Sequence, residues 1–341
     1  MVPASGRGVA AVRLFFTARR YPARVTPVFL TIDTEFAWRH HAAGLGVDEL
    51  YSRSCEPAGV GIGYQLAQLR RFGLKACFFI DPMPAIAFGL EPIRRLVGAV
   101  LDAGQEAQLH CHPAWAGARA RDGGAGHARF ELVDYDAAGQ RALIAGAAEL
   151  LVAAGAPTPL AFRGGSYGAN DATLAALAEL GLVFDSSHNG AEAPWPSGIG
   201  LAPDHIAPIE RRGVIEVPVT VIEDRPGRLR HVQICALSAA EMRAAVDHAI
   251  VHKHAALTIV SHGFELANRA GTRANAVHVR RFDALCALLA ERADVAPTAH
   301  FSDWPVLRLG QNDRPLGPSV LRTRWRQAEQ LWSNMVEERA A

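Results

Sequence analysis

The stretch QLHCHPAW, residues 108–115, places His110 and His112 one residue apart, with Pro113 directly behind. In an extended strand alternate side chains leave from one face, so both imidazoles point at one spot, a geometry that suits a metal ion. Cys111 between them then faces the other way, into packing. TIDTEF repeats the spacing with acids, Asp33 and Glu35. Further on stand Asp81 in CFFID, Arg163 in FRGGSYG, Asp185 in FDSS, His262 in VSHGFE and Asp303 in HFSDW. Two histidines and a carboxylate leave an open position on Zn2+ or a similar ion. Such an ion polarises a carbonyl and lowers the pKa of water. A free carboxylate beside it can act as general base, and an imidazole opposite can protonate a leaving amine. Together the parts suit hydrolysis of an amide or ester.

Taken singly, each residue has a plainer explanation. Asp33, Glu35 and Asp185 could cap turns, and His110 and His112 could be hydrogen-bonded loop histidines. His262 could be a satisfied core histidine and Trp115 a packing residue. Arg163 could anchor a surface carboxylate. His40, His41, His127, His248, His252 and His254 fall in loop or helix-surface settings.

Position argues for the joint reading. Short runs rich in β-branched and aromatic residues recur at 27–34, 75–81, 106–112, 159–165, 182–187, 214–220, 257–262 and 298–303. Helical periodicity separates them near 57–72, 84–103, 136–155, 171–180, 238–254 and 275–292. Asp136, Asn170 and Ser238 are placed as N-caps, and Gly73 and Gly181 as helix ends. Alternating strands and helices predict an α/β protein with a parallel sheet, closed or doubly wound. The runs lack strict polar alternation, as strands buried on both faces do. Nearly every run ends in an ionisable residue, and in parallel barrels the active site lies at those C-terminal ends.

The remaining composition is that of an ordinary globular chain. Of 341 residues half are apolar and a fifth charged, and the net charge of +1 offers no strong field for nucleic acid. Five scattered cysteines, Cys55, Cys77, Cys111, Cys235 and Cys286, read as reduced thiols rather than a disulfide framework. No apolar run reaches the roughly 18 residues of a membrane span, and Arg13, Arg19 and Arg20 break up the N-terminal patch where a signal peptide would need an unbroken core. The expected organisation is a loose extension over 1–24, a barrel over 25–304 and a tail over 305–341 with an amphipathic helix. A cytoplasmic location follows as the expectation, with the oligomeric state left open.

The order of motifs resembles the polysaccharide deacetylase family, the NodB-homology domains of carbohydrate esterases. LTIDTE stands where that family has Thr-Phe-Asp-Asp, KACFFID matches its second strand, and GQEAQLHCHP matches the strand carrying its metal histidines. FRGGSYG, FDSS and TIVSHGFE follow in the family's order, so the resemblance spans about residues 27–303. It implies a single-domain, distorted (β/α) barrel of seven or eight units. It also implies a divalent metal, zinc above all with cobalt, nickel or manganese as alternatives, and removal of acetyl groups from N- or O-acetylated sugars. Two departures stand out: Thr34 occupies the second aspartate position with Glu35 as substitute, and Ala114 falls where the family's second histidine belongs, so that His112 replaces it. By this resemblance Asp33 is the general base, with metal ligation as its alternative, and Glu35, His110 and His112 hold the metal. Arg163 orients the base, His262 is the general acid, and Trp115, Gly165, Tyr167 and Asp185 line the sugar groove. The competing readings are an amidohydrolase acting on small C–N bonds, with Asp303 as its late aspartate, and an inactive carbohydrate-binding barrel.

Overall fold

Seven of the eight strand-like runs fold as strands, and a helix follows each of them before the next strand of the large sheet except at the fifth, which continues through two short strands, one of them the antiparallel edge of that sheet. The structure, a computed structural model, describes residues 25–118 and 129–338, so the expected extension over 1–24 and His127 lie outside the described residues. The strands are β1 (Val28–Thr34), β2 (Cys77–Ile80), β3 (Glu106–Cys111), β4 (Ala161–Gly164), β5 (Ala169–Asn170) and β6 (Phe184–Asp185). They continue with β7 (Ser197–Gly198), β8 (Ile209–Arg211), β9 (Val214–Glu216), β10 (Val221–Arg225), β11 (Arg228–His231) and β12 (Leu257–His262). One eight-stranded sheet runs β12-β1-β2-β3-β4-β6-β9-β8, parallel throughout except for the final β9–β8 pair. It is the distorted α/β barrel expected. The distortion has a local cause: the ladder of β9 stops at Glu216, two residues before Pro218, which has no N–H to donate. From there an irregular strip bridges toward β12, with Thr220 donating to the Thr258 carbonyl and Val260 to that of Val232.

Helices Ile62–Phe72, Glu91–Asp102, Ala137–Ala153, Asp171–Glu179, Ala239–Val251 and Ala276–Glu291 cover the outer face. Asp136, Asn170 and Ser238 each accept a backbone N–H from the first turn they precede. Two further helices, Trp38–Ala42 and Val47–Cys55, form where the sequence suggested loop, and they bury His40 and His41 rather than exposing them. The C-terminal helix Val320–Trp332 docks on the barrel through Arg326, which is buried against Asp224 and Glu241. Among the described residues no helix is long and apolar enough to cross a membrane.

Register divides the sheet into two faces. Thr34, Ile80, Leu109, Phe162, Asp185 and Glu216 stand level across six neighbouring strands. Because side chains alternate, the residues one position away face the interior. Low in that interior Phe29, Cys77, Phe79, Phe184, Ile215 and Phe301 form an apolar plug, each buried ring stabilising by roughly 1.5–3 kcal/mol. Above it lie the polar strand ends.

The run at 298–303 corrects the sequence reading. It makes one bridge, Thr298 to Val28, and then turns through Phe301–Asp303. Phe301 enters the barrel floor and stacks on Phe29 with centroids 4.5 Å apart. Asp303 therefore sits at the opposite end from the other strand-exit groups, 2.6 Å from Lys75.

Candidate metal and catalytic site

Three donor atoms converge at the open end of β1 and β3. The Glu35 carboxylate lies 3.0 Å from His110 Nε2 and in hydrogen-bond contact with His112 Nε2. One ligand atom from each of the three lies within 4.8 Å of the others. His110 is oriented from behind, its Nδ1–H donating to the Arg163 carbonyl at 2.7 Å. That bond puts the ring proton on Nδ1 and leaves the Nε2 lone pair facing a carboxylate oxygen. Two acceptors in contact call for a positive charge between them, so the donor set fits a divalent ion. The same demand marks the titration of His112 and Glu35. Burial pulls the His112 imidazole down, but the Glu35 carboxylate outweighs it and pushes it up to about 10. Burial raises Glu35 in turn, yet the two imidazoles, His112 foremost, hold it well below the usual carboxylate range.

Gly165 makes room for this arrangement: a Cβ there would come 2.4 Å from His112 Nδ1. The following turn is strained, with Ser166 and Tyr167 both at positive φ, 52° and 63°.

Beside the trio lies a second group. Arg163 is fully buried and donates from Nη1 to Asp33 Oδ1 at 2.7 Å and to Thr31 Oγ1 at 2.8 Å. Its Nε and Nη2 donate to the carbonyl and hydroxyl of Ser186, each at 3.0 Å, and its plane lies over the Phe79 ring. On the other side of Asp33, His262 Nε2 stands 3.8 Å from Oδ2. The Gln233 amide nitrogen stands 3.3 Å from His262 Nδ1 and donates to Glu265 Oε1 at 2.7 Å. Tyr167 closes the network by donating to Gln233 Oε1 at 3.4 Å. Burial raises the Glu265 carboxyl, but His262 and the hydrogen bonds from Cys235 and Gln233 together outweigh it, and the group stays below its ordinary value. Solvent reaches the set at Glu35, His112 and His262, whose side chains are 13%, 22% and 19% exposed.

The structure thus brings Asp33, Glu35, His110, His112, Arg163 and His262 to one end of the barrel, with Gly165 and Tyr167 beside them. Two expected groove residues are elsewhere. Trp115 is 1% exposed and packs between Trp38, His41 and Phe88 in the outer core. Asp185 is level with Phe162 and so faces away from the site; it accepts from Ser187 and pairs with Glu216, both carboxyls raised by burial. Its neighbour Ser186 takes the inward position. Sequence reading passed over Ser186, Thr31, Gln233 and Glu265. Strand parity was the signal for the first two; the others reach the site by contacts between distant segments.

No protein-family model and no curated protein matches this chain. Among solved structures it is similar to one described as a polysaccharide deacetylase from Mycobacterium smegmatis, at 17% identity, covering 92% of this chain and 95% of that one, TM-score 0.49. A family 4 carbohydrate esterase from Streptomyces lividans in complex with acetate is similar at 15% identity, over 86% of this chain and 98% of that one, TM-score 0.39. A family 4 pseudoenzyme from Bacillus anthracis is similar at 11% identity, over 90% and 70% of the two chains, TM-score 0.38.

Proposed function

We propose that this protein is a metal-dependent hydrolase that removes an acetyl or other small acyl group from an N- or O-acylated sugar. The observation that carries the reading is the adjacency of two groups: a Glu35/His110/His112 donor set, and an Asp33 fixed between Arg163 and His262. A divalent ion held by Glu35, His110 and His112, zinc foremost, would polarise the acyl carbonyl and stabilise negative charge developing on its oxygen. Asp33, aimed by Arg163, accepts a proton from the attacking water as its oxygen bonds to the acyl carbon. His262 acts as the general acid with both ring nitrogens protonated. It gives its Nε2 proton to the departing nitrogen or oxygen as the C–N or C–O bond breaks and is left as the neutral imidazole, with a carboxylic acid and a free amine or alcohol as products. The exposed edge of His262 offers surface on the approach to these atoms, with Tyr167 buried behind it.

The amidohydrolase reading loses its support, since Asp303 is at the other end of the barrel with Lys75. A barrel that only bound carbohydrate would have no use for an imidazole and an arginine on either side of a buried aspartate. Acetate release from N-acetylated chitooligosaccharides and from O-acetylated xylan, measured with zinc- and cobalt-loaded protein, tests the proposal. Release that Asp33→Asn abolishes supports it, and its absence on every acylated glycan offered would overturn it.

A further inference from the structure

The C-terminal helix Val320–Trp332 docks on the barrel by its polar side. Arg326 is buried between Asp224 and Glu241, and Glu329 meets Arg281 at 3.0 Å. Ser333, directly after the helix, accepts from the Asn275 amide at 2.9 Å, and Glu337 is buried beside Arg273. The apolar side is left outside. Leu321, Trp325, Ala328, Leu331 and Trp332 are spaced i, i+4, i+7, i+10 and i+11, which puts them on one face of a helix. All five are exposed, Leu321 at 82%, Trp325 at 61% and Trp332 at 54%, and Met335 extends the strip. A contiguous apolar surface on a folded chain marks an interaction site.

Charge selects what covers it. The carboxylates of this segment, Glu329, Glu337 and Glu338, all engage the barrel, so none of the exposed residues over 320–335 is acidic. Arg324 is exposed within the apolar strip, one turn from both Leu321 and Ala328. Arg322 lies in the same turn of helix. The β10–β11 hairpin, whose Asp224 carbonyl accepts from Thr323 at 3.2 Å, adds the exposed Arg225 and Arg228 at its tip. A second copy of this chain would present the same face in return. Arg324 would then be buried against residues that supply no counter-charge, which is costly. An anionic lipid surface supplies that charge to the arginines, and indole rings settle at the level of its headgroups. We propose that the protein docks on anionic membrane surfaces through this helix, which lies in the interface with Leu321, Trp325, Leu331 and Trp332 at the headgroup boundary. The inference is independent of the reading of the barrel site.

Co-sedimentation of the purified full chain with vesicles tests it, using phosphatidylcholine alone and an equal mixture of phosphatidylcholine and phosphatidylglycerol. Wild type is expected to bind the mixture about tenfold or more tightly than phosphatidylcholine alone, with a blue shift of its tryptophan emission. Trp325→Ser/Trp332→Ser should lose about tenfold or more in affinity for the mixture while unfolding at the wild-type temperature. Leu321→Ser serves the same comparison should the double variant not fold. Arg324→Glu should weaken the preference for the anionic mixture. No sedimentation of wild type with the mixed vesicles, or sedimentation unchanged in the apolar variants, would overturn the proposal. So would a wild type that is dimeric by light scattering beside a monomeric double variant, since a second copy would then cover the face.

Discussion

Arg163 and Asp33 meet over 2.7 Å inside the barrel, the arginine wholly buried and the aspartate side chain only 4% exposed. A buried charge pair contributes little net stability, but removing one partner strands the other. Here the pairing also sets the direction of Asp33, whose second oxygen is left facing His262.

Arg163→Met is therefore expected to destabilise the fold by about 3–5 kcal/mol. The double variant Arg163→Met/Asp33→Asn should recover a large part of that loss. Urea unfolding of the two proteins checks it, and a double variant no more stable than the single one would show that the stranded charge is not the cause.

Gly165→Ala would drive a methyl group into the His112 ring. The backbone at Gly165 needs no unusual conformation, so the fold should survive while His112 turns away. Zinc affinity is expected to fall by about 10–100-fold, the range found when the support of a ligand is removed. An unchanged affinity in competition with a chromophoric chelator would count against His112 as a ligand.

His262→Gln removes the proton donor. Its kcat is expected to fall by about 10²–10⁴ on an N-acetylated sugar. On an aryl acetate, whose leaving group departs without protonation, the fall should be much smaller. Equal losses on the two substrates would assign His262 to binding or structure instead.

Asp185 and Glu216 form a buried acid pair on the outer face, away from the site. Burial raises Glu216 well above its ordinary 4.5, with the charge of Asp185 adding to the effect. The folded state therefore binds a proton that the unfolded chain releases above 4.5, and stability falls as pH rises from there toward the folded-state pKa. Glu216→Gln should flatten that part of the curve and be the more stable protein, relative to wild type, at pH 7 than at pH 4. Chemical denaturation across this range checks it, and parallel curves for the two proteins would contradict it.

The placement of site residues shows what could be read in the sequence. His110, His112, Asp33 and Glu35 were legible because one-residue spacing on a strand puts paired side chains on one face. The same parity, applied to FRGGSYG and FDSS, points to Ser186 and not Asp185 as the partner of Arg163. Trp115 follows the strand end, where alternation no longer predicts direction, and the unanticipated helix Trp38–Ala42 covers it. Asp303 misled because an apolar run ending in an acid looks the same whether the chain climbs the barrel or crosses its floor. Gln233 and Glu265 lie 32 residues apart and meet only through the irregular strip that replaces a regular closing strand.

The central claim is that Glu35, His110 and His112 hold a divalent ion. Elemental analysis of purified wild type and of the His110→Ala/His112→Ala double variant tests it most directly. The account predicts near-stoichiometric zinc, or cobalt, nickel or manganese taken up in its place, in the wild type and its loss from the variant. A wild type that stays metal-free after incubation with each of these ions would contradict it.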